Sequence, residues 1–179
     1  QDLAQPDGER LGPAGIAELA AEAGECDRLA AADERGAGAG YACPMEHRFE
    51  TVAGLRGHAL VGGSGPPVVL VHGLAVSSRY FVPLARRLVR RHTVLAPDLP
   101  GYGRSATPRR PLGIVELADA LREWLDTLGV TSALFVGNSL GCQIAVDLAV
   151  RAPQRVRGLV LVGPTMDPSA PTLWAQWRG

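Results

Sequence analysis

The sequence predicts an α/β fold, in which a mostly parallel β-sheet is flanked by helices. Short, continuously apolar runs such as VVLV at 68–71 suit strands that are buried on both faces of a sheet. Segments with apolar residues at helical spacing alternate with these runs, and such alternation is typical of βαβ units. Functional residues of these sheets lie at the carboxyl ends of the strands, so a site is expected in the loops that follow the strands.

The chain of 179 residues divides into two parts by composition. Residues 1–47 are rich in Ala and Gly and carry ten acidic residues against three arginines. This composition predicts a poorly ordered acidic extension, with a small helical interaction arm as the alternative. Residues 48–179 carry the strand and helix patterns and are predicted to form one domain, since domains commonly span about 100–200 residues; the family resemblance given below implies that this domain is incomplete.

The first predicted elements are strands. Runs at 49–53 and 59–62, around Gly54 and Gly57, predict an antiparallel hairpin. A glycine- and proline-rich turn follows, and the run at 68–71 is the first strand predicted to be buried on both faces.

From residue 80 onward, helices and strands alternate. The clearest helix is predicted at 114–128, where apolar residues form one stripe with charged residues beside it, and Gly129 ends the helix. The other predicted elements are a helix at 80–90, a strand at 93–97, a strand at 133–137, a helix at 140–151 and a strand at 158–163.

Composition and charge exclude several classes of function. The formal net charge is zero and no aromatic residues interleave with the arginine clusters, so no nucleic-acid partner is predicted. Lysine is absent, which excludes P-loop, Schiff-base and Ser-Lys chemistry. No apolar run reaches the roughly 18–20 residues of a membrane span. The cysteine spacing predicts neither a disulfide framework nor a metal site. We therefore expect a cytoplasmic protein without metal or cofactor that acts on a small molecule; the oligomeric state stays open.

A G-x-S-x-G motif lies between the strand at 133–137 and the helix at 140–151, with Ser139 between Gly137 and Gly141. A nucleophile on a sharp strand-to-helix turn needs strained backbone angles, and glycines two positions away avoid a steric collision. The N-terminus of the following helix favours negative charge beside the turn. This setting predicts that Ser139 is a nucleophile, with an ordinary glycine-lined turn as the alternative.

The loop after the strand at 68–71 begins with His72 and Gly73. A serine hydrolase must stabilise an oxyanion, and two backbone N–H groups commonly do so. One donor is predicted at Leu140, directly after the nucleophile, and the 72–75 loop is the candidate for the other, with Gly73 allowing a close approach. His72 is predicted to pack and form hydrogen bonds within the loop, with a general-base role as the alternative.

These loops resemble those of the α/β-hydrolase family. The matching stretches are VVLVHG (68–73), VLAPDLPGYGRS (94–105), VGNSLG (136–141) and RVRGLVLVGP (155–164), in family order. The resemblance implies an eight-stranded, mostly parallel sheet in the complete enzyme, truncated here after about strand six. It implies Ser139 as nucleophile, the amides of Leu74 and Leu140 as oxyanion donors, and hydrolysis of ester-like or carbon–carbon-bond substrates. Epoxide hydrolases and haloalkane dehalogenases of this fold use an aspartate nucleophile, so Ser139 argues against both.

The residues that would complete a catalytic triad do not follow in the family's order. In the family an acid and then a histidine follow the nucleophile, whereas every histidine here precedes Ser139. Asp167 is the one acid candidate after the last predicted strand, and a turn with Pro168 is its alternative. Asp98 is predicted to pin its own loop. The strand at 158–163 is expected to present a bare apolar edge.

We therefore expect this chain alone to be inactive or nearly so, because a serine hydroxyl without a base is a poor nucleophile. Two alternatives stay open. One is a non-catalytic, hydrolase-like protein used for binding or assembly. The other is an acyltransferase that uses the same residues.

Overall fold

A computed structural model of the chain describes residues 45–52 and 54–164, and every structural statement below concerns these residues. They belong to one compact unit, Cys43–Gly179. The predicted acidic extension lies outside the described residues, apart from its last three positions.

The described strands form one six-stranded sheet. They are β1 (Met45–Val52), β2 (Leu55–Gly62), β3 (Pro67–Val71), β4 (Thr93–Asp98), β5 (Ala133–Asn138) and β6 (Val156–Val162). Their order across the sheet is β1-β2-β4-β3-β5-β6. β3 pairs in parallel with β4 and β5, and β5 pairs in parallel with β6. The hairpin of β1 and β2 joins this parallel group because β2 runs antiparallel to β4. The predicted mostly parallel sheet is confirmed.

Three α-helices cover the sheet: α1 (Val82–Leu88), α2 (Ile114–Thr127) and α3 (Leu140–Arg151). Two short 3₁₀ turns, Ser78–Phe81 and Pro153–Arg155, precede α1 and β6. The helix predicted at 80–90 is therefore only partly α-helical. Its α-helical part starts at Val82 because Pro83 lacks an N–H group and fits the first helical turn.

The central strands β3, β4 and β5 are buried on both faces, as their apolar sequences predict. Val69 and Val71 of β3 point to the core under α2 and α3, whereas Val68 and Leu70 point to the core under α1. Alternate residues of a strand face opposite sides, so a continuous apolar run supplies both cores.

The hairpin differs in detail from its prediction. β1 begins at Met45, three residues before the predicted domain start at residue 48. The turn contains Gly54, whose φ is 74°, whereas Gly57 lies inside β2. Only the first of the two glycines has the positive φ that a tight turn requires.

The strand order reverses direction at β3. From β3 the chain passes to β4 on one side and then crosses to β5 on the other. Loops that leave neighbouring parallel strands in opposite directions open a crevice at the carboxyl ends of those strands. The loops after β3 and β5 are therefore the place where this fold builds a site.

Candidate active site

Ser139 lies at the junction of β5 and α3 with φ 49° and ψ −113°. Within the described ranges, Ala75 (φ 60°) and Ser139 are the two non-glycine residues with positive φ. Positive φ costs about 1–3 kcal/mol in such residues and concentrates at functional sites. Both strained residues lie in the two loops at the crevice.

The turn of residues 137–141, called here the Ser139 turn, is closed by two glycines. A Cβ atom on Gly137 would lie 2.6 Å from the carbonyl oxygen of Gly141. A Cβ atom on Gly141 would overlap the carbonyl oxygen of Val71 on β3. A side chain at Gly137 would force β5 away from α3, and one at Gly141 would force α3 away from β3.

Hydrogen bonds fix the Ser139 turn in its strained shape. The amide of Ser139 donates to the carbonyl of Val162 on β6 at 2.9 Å, and the amide of Cys142 donates to the carbonyl of Ser139 at 2.9 Å. The Cys142 thiol donates to the carbonyl of Gly137 at 3.1 Å. Burial raises the pKa of this thiol, so it stays protonated. Leu140 is the first residue of α3, where backbone N–H groups have no partner within the helix.

Residues 72–77, called here the β3 loop, contact the Ser139 turn. A Cβ atom on Gly73 would lie 3.2 Å from the Cβ of Ser139 and 2.9 Å from Oδ1 of Asn138. Glycine is therefore needed for this close approach. The next residue, Leu74, is 63% exposed.

His72 is fully buried and uses both ring nitrogens. Its Nδ1–H group donates to the carbonyl of Gly73 at 2.8 Å, and its Nε2 atom accepts from the amide of Leu99 at 3.0 Å. Burial lowers its pKa below the usual 6.5, so the ring is neutral. The Tyr102 ring packs edge-on at 5.3 Å. Neither nitrogen is free to accept a proton from Ser139.

Asp98, the last residue of β4, accepts backbone hydrogen bonds from two loops. Its Oδ1 atom accepts from the amide of Ser78 at 2.7 Å and its Oδ2 atom from the amide of Arg104 at 2.8 Å. Burial alone would raise the pKa of this carboxyl, but the donors from Arg104, Ser78 and His58 lower it below its usual value. Asp98 is therefore an ionised carboxylate that holds in place the loops containing Ser78 and Arg104.

The remaining histidines of the sequence are all described, and none is hydrogen-bonded to Ser139. His58 contacts Asp98 and His47. His92 has a buried Nδ1 atom without a partner among the described residues. Asp167, the predicted acid candidate, lies outside the described residues.

Sequence reasoning missed two features of this region. The strain at Ala75 carries no sequence signal, because alanine rarely marks positive φ. The pairing of His58 with Asp98 depends on β2 lying beside β4, which local patterns do not report.

The described residues also bear on metal binding and on membrane spanning. Among residues 45–52 and 54–164, no group of three or more His, Cys, Asp or Glu side chains could hold a metal ion. The helices of the same ranges include none with the length and apolar character needed to cross a membrane.

The chain matches the α/β hydrolase fold family over residues 66–179. It is therefore a member of that family. The crevice at the carboxyl ends of β3 and β5 is the part of this fold in which the strained serine lies.

Two curated relatives show the extent of the likeness. An uncharacterized protein of Mycobacterium tuberculosis is 37% identical over 127 residues, which cover 69% of this chain and 37% of that protein. The pimeloyl-[acyl-carrier protein] methyl ester esterase of Xylella fastidiosa is 37% identical over 105 residues, which cover 59% of this chain and 39% of the esterase. The chain thus spans well under half the length of these relatives.

Among solved structures, a putative lipase of Acinetobacter baumannii superimposes with a TM-score of 0.69 at 27% sequence identity. The match covers 75% of this chain and 46% of the lipase. The predicted α/β-hydrolase fold is confirmed.

Proposed function

We propose that Ser139 is the nucleophile of a serine hydrolase. The observation that carries the proposal is the contact between the Ser139 turn and the β3 loop at Gly73. This contact joins a serine with strained backbone angles to a second strained loop. Strained residues that a fold maintains at one crevice are typical of active sites.

The backbone amides of Leu74 and Leu140 would form the oxyanion hole. Leu140 starts α3, so its amide lacks a helical partner and benefits from the helix dipole. Leu74 follows Gly73, whose missing side chain brings the β3 loop against Ser139. Loss of one such donor typically raises the barrier by about 3–4 kcal/mol.

The general base would come from a group other than the four histidines of this sequence. His72 has both ring nitrogens occupied, and His58 is bonded to Asp98. A site that keeps its oxyanion hole but lacks a triad member retains only about 10³–10⁴-fold catalysis. We therefore expect the 179 residues alone to react slowly.

The substrates would be ester-like molecules or molecules with a susceptible carbon–carbon bond. The named relatives favour esters, since one is a methyl ester esterase and one a putative lipase. In both reactions the serine oxygen attacks a carbonyl carbon and the carbonyl oxygen gains negative charge. Two convergent amides stabilise that charge without a metal.

A fluorophosphonate probe tests the proposal directly. In the natural protein we expect phosphonylation of Ser139, located by peptide mass spectrometry, and its loss in Ser139→Ala. Ser64→Ala is the matched control, because Ser64 lies exposed in the turn before β3 and should not affect labelling. Labelling of another serine, or equal labelling of Ser139→Ala, would overturn the assignment.

One observation favours a second candidate, a non-catalytic protein used for binding or assembly. No histidine of the sequence is hydrogen-bonded to Ser139 in the described residues. The same labelling experiment separates the two functions. A natural protein that stays unlabelled at Ser139 over a wide pH range supports the non-catalytic role.

A further inference from the structure

His58 and Asp98 form a buried pair on neighbouring strands. They lie directly opposite each other in the register of β2 and β4, and they are only 3% and 5% exposed. The Nδ1 atom of His58 lies 2.7 Å from Oδ2 of Asp98. A small cavity of about 40 Å³, lined in part by Leu121 and Trp124, borders the pair. Charges in such apolar surroundings interact strongly because water does not screen them well.

The neighbours of His58 determine where its protons lie. The guanidinium of Arg104 can only donate, and its Nη1 atom lies 3.2 Å from Nδ1 of His47, so this nitrogen accepts. The same His47 nitrogen lies 2.8 Å from Nε2 of His58. On the other side of the ring, the Asp98 carboxylate can only accept, so Nδ1 of His58 carries a hydrogen and donates to it.

Asp98 and the residue after it fix the β3 loop at both ends. At the far end, Oδ1 of Asp98 accepts from the amide of Ser78, the residue that directly follows the loop. At the near end, the amide of Leu99 donates to Nε2 of His72, the first residue of the loop. The position of the β3 loop therefore depends on the position of the β4 terminus.

We propose that His58 is a positioning residue for the oxyanion hole: through the hydrogen bond from its Nδ1 atom it holds the Asp98 carboxylate, and Asp98 in turn fixes the β3 loop that carries the Leu74 amide. This role rests on the proposed function of Ser139. It places a residue of the antiparallel hairpin in control of a loop on the parallel part of the sheet. The group of His47, His58, Asp98 and Arg104 is called here the Asp98 network.

Charged groups from several elements act on the His47–His58 contact. They are His47 on β1, Asp98 at the end of β4, Arg104 in the following loop and Arg79 in the 3₁₀ turn before α1. Burial and electrostatic interactions with Arg104 and His58 lower the pKa of His47 below 6.5. Acid that protonates His47 adds a positive charge beside Arg104. This repulsion is expected to weaken the Asp98 network at acid pH.

The variant His58→Gln tests the proposal, with His92→Gln as the matched control. His92 precedes β4 at the opposite end of that strand from Asp98. We expect His58→Gln to slow fluorophosphonate labelling of Ser139 about 10- to 100-fold, since a displacement near 1 Å can cost that much. Hydrogen exchange should accelerate at the amides of Ala75 and Ser78 but not in β5, whereas a general loss of stability would accelerate both.

Nitrogen-15 NMR of the wild-type imidazole rings supplies a readout that needs no variant to fold. The proposal expects Nδ1 of His58 to carry hydrogen at neutral pH, and a ring whose Nδ1 atom carries none would overturn it. Equal labelling and exchange in His58→Gln and His92→Gln would also overturn it. If Ser139 of the wild type never labels while His58→Gln still accelerates exchange at Ser78, the proposed hydrolase function fails and the positioning of the loop by His58 stands.

Discussion

At the scale of single residues, the site depends on glycines, because a glycine has no Cβ atom to keep two backbones apart. Gly73, Gly137 and Gly141 lie where the backbones around the site meet, and a Cβ atom on each would contact a neighbouring strand or turn. The site is therefore built by close backbone approach, and the strain at Ser139 is held by the surrounding packing.

Gly141→Ala is expected to destabilise the protein by about 1–3 kcal/mol or more, because the added methyl overlaps the Val71 carbonyl and backbone must move. The measurement is the free energy of unfolding in urea. Gly57→Ala is the matched control, since its nearest contact would be an ordinary 3.5 Å to the carbonyl of Glu50. That variant should stay within about 0.5 kcal/mol of wild type. Equal stability of the two variants would contradict the packing argument.

The sequence predicts part of this residue-scale picture. The positions of Gly137 and Gly141 follow from the motif, because a serine between a strand and a helix demands them. The contact of His58 with Asp98 could not be predicted, because it requires knowing that the hairpin adds to the sheet beside β4. The positive φ of Ala75 could not be predicted, because alanine rarely marks such a backbone angle.

At the scale of elements, the start of α2 is fixed by the side chain of Glu116 in its own first turn. Both oxygens of Glu116 receive hydrogen bonds from Arg110, and Oε2 also accepts from the amide of Gly113 at 3.0 Å. Gly113 is the N-cap residue and has no side chain of its own to cap the helix. Glu116, the third residue of the helix, therefore forms the half of a capping box in which its side chain accepts from the amide of the N-cap residue.

This capping predicts that the free energy of unfolding depends on pH. Hydrogen bonds from Arg110 and then from Gly113 lower the pKa of Glu116 to about 2 from its usual 4.5. The native state thus holds this proton less tightly than the unfolded chain. The stabilisation is fully present above pH 4.5 and is lost as the pH falls toward 2.

The measurement is urea unfolding as a function of pH in Glu116→Gln. The variant should lose less stability than wild type between pH 4.5 and 2. Glu46→Gln is the control, because Glu46 lies exposed on β1. A pH dependence in Glu116→Gln identical to wild type would show that the carboxylate does not stabilise the helix start.

A comparison of predicted and observed helix boundaries shows which boundaries the apolar spacing can predict. The apolar stripe located α2 to within one residue, since its period is unbroken over fourteen residues. The segment at 80–90 has the same kind of stripe, yet only Val82–Leu88 is α-helical. Pro83 sets the start of the α-helix because it has no N–H group. The spacing of apolar residues alone gives no information about this boundary.

At the scale of the whole molecule, β6 forms an apolar edge of the described sheet. β6 pairs with β5 on one side, and the described residues provide no strand on its other side. Val160, Leu161 and Val162 are 40–46% exposed. Unpaired strand edges with apolar side chains favour association with other chains.

Val160→Lys is therefore expected to reduce concentration-dependent self-association of the 179-residue chain, because a charge on an edge strand opposes pairing. Sedimentation velocity over a range of concentrations measures the effect. Val150→Lys places the same charge on α3 at a more exposed position and is the control. If both variants associate as wild type does, the edge is not the associating surface.

The crevice joins loops that are far apart along the chain, since Gly73 contacts Ser139 and the amide of Ser139 bonds to Val162. Contacts of such long sequence separation form slowly, because a long loop must close before they stabilise the fold. A nascent chain still waiting for β6 to leave the ribosome holds no finished turn at Ser139. The hydrogen bond from the amide of Ser139 can form only once Val162 on β6 has been synthesised, so the strained turn is completed late.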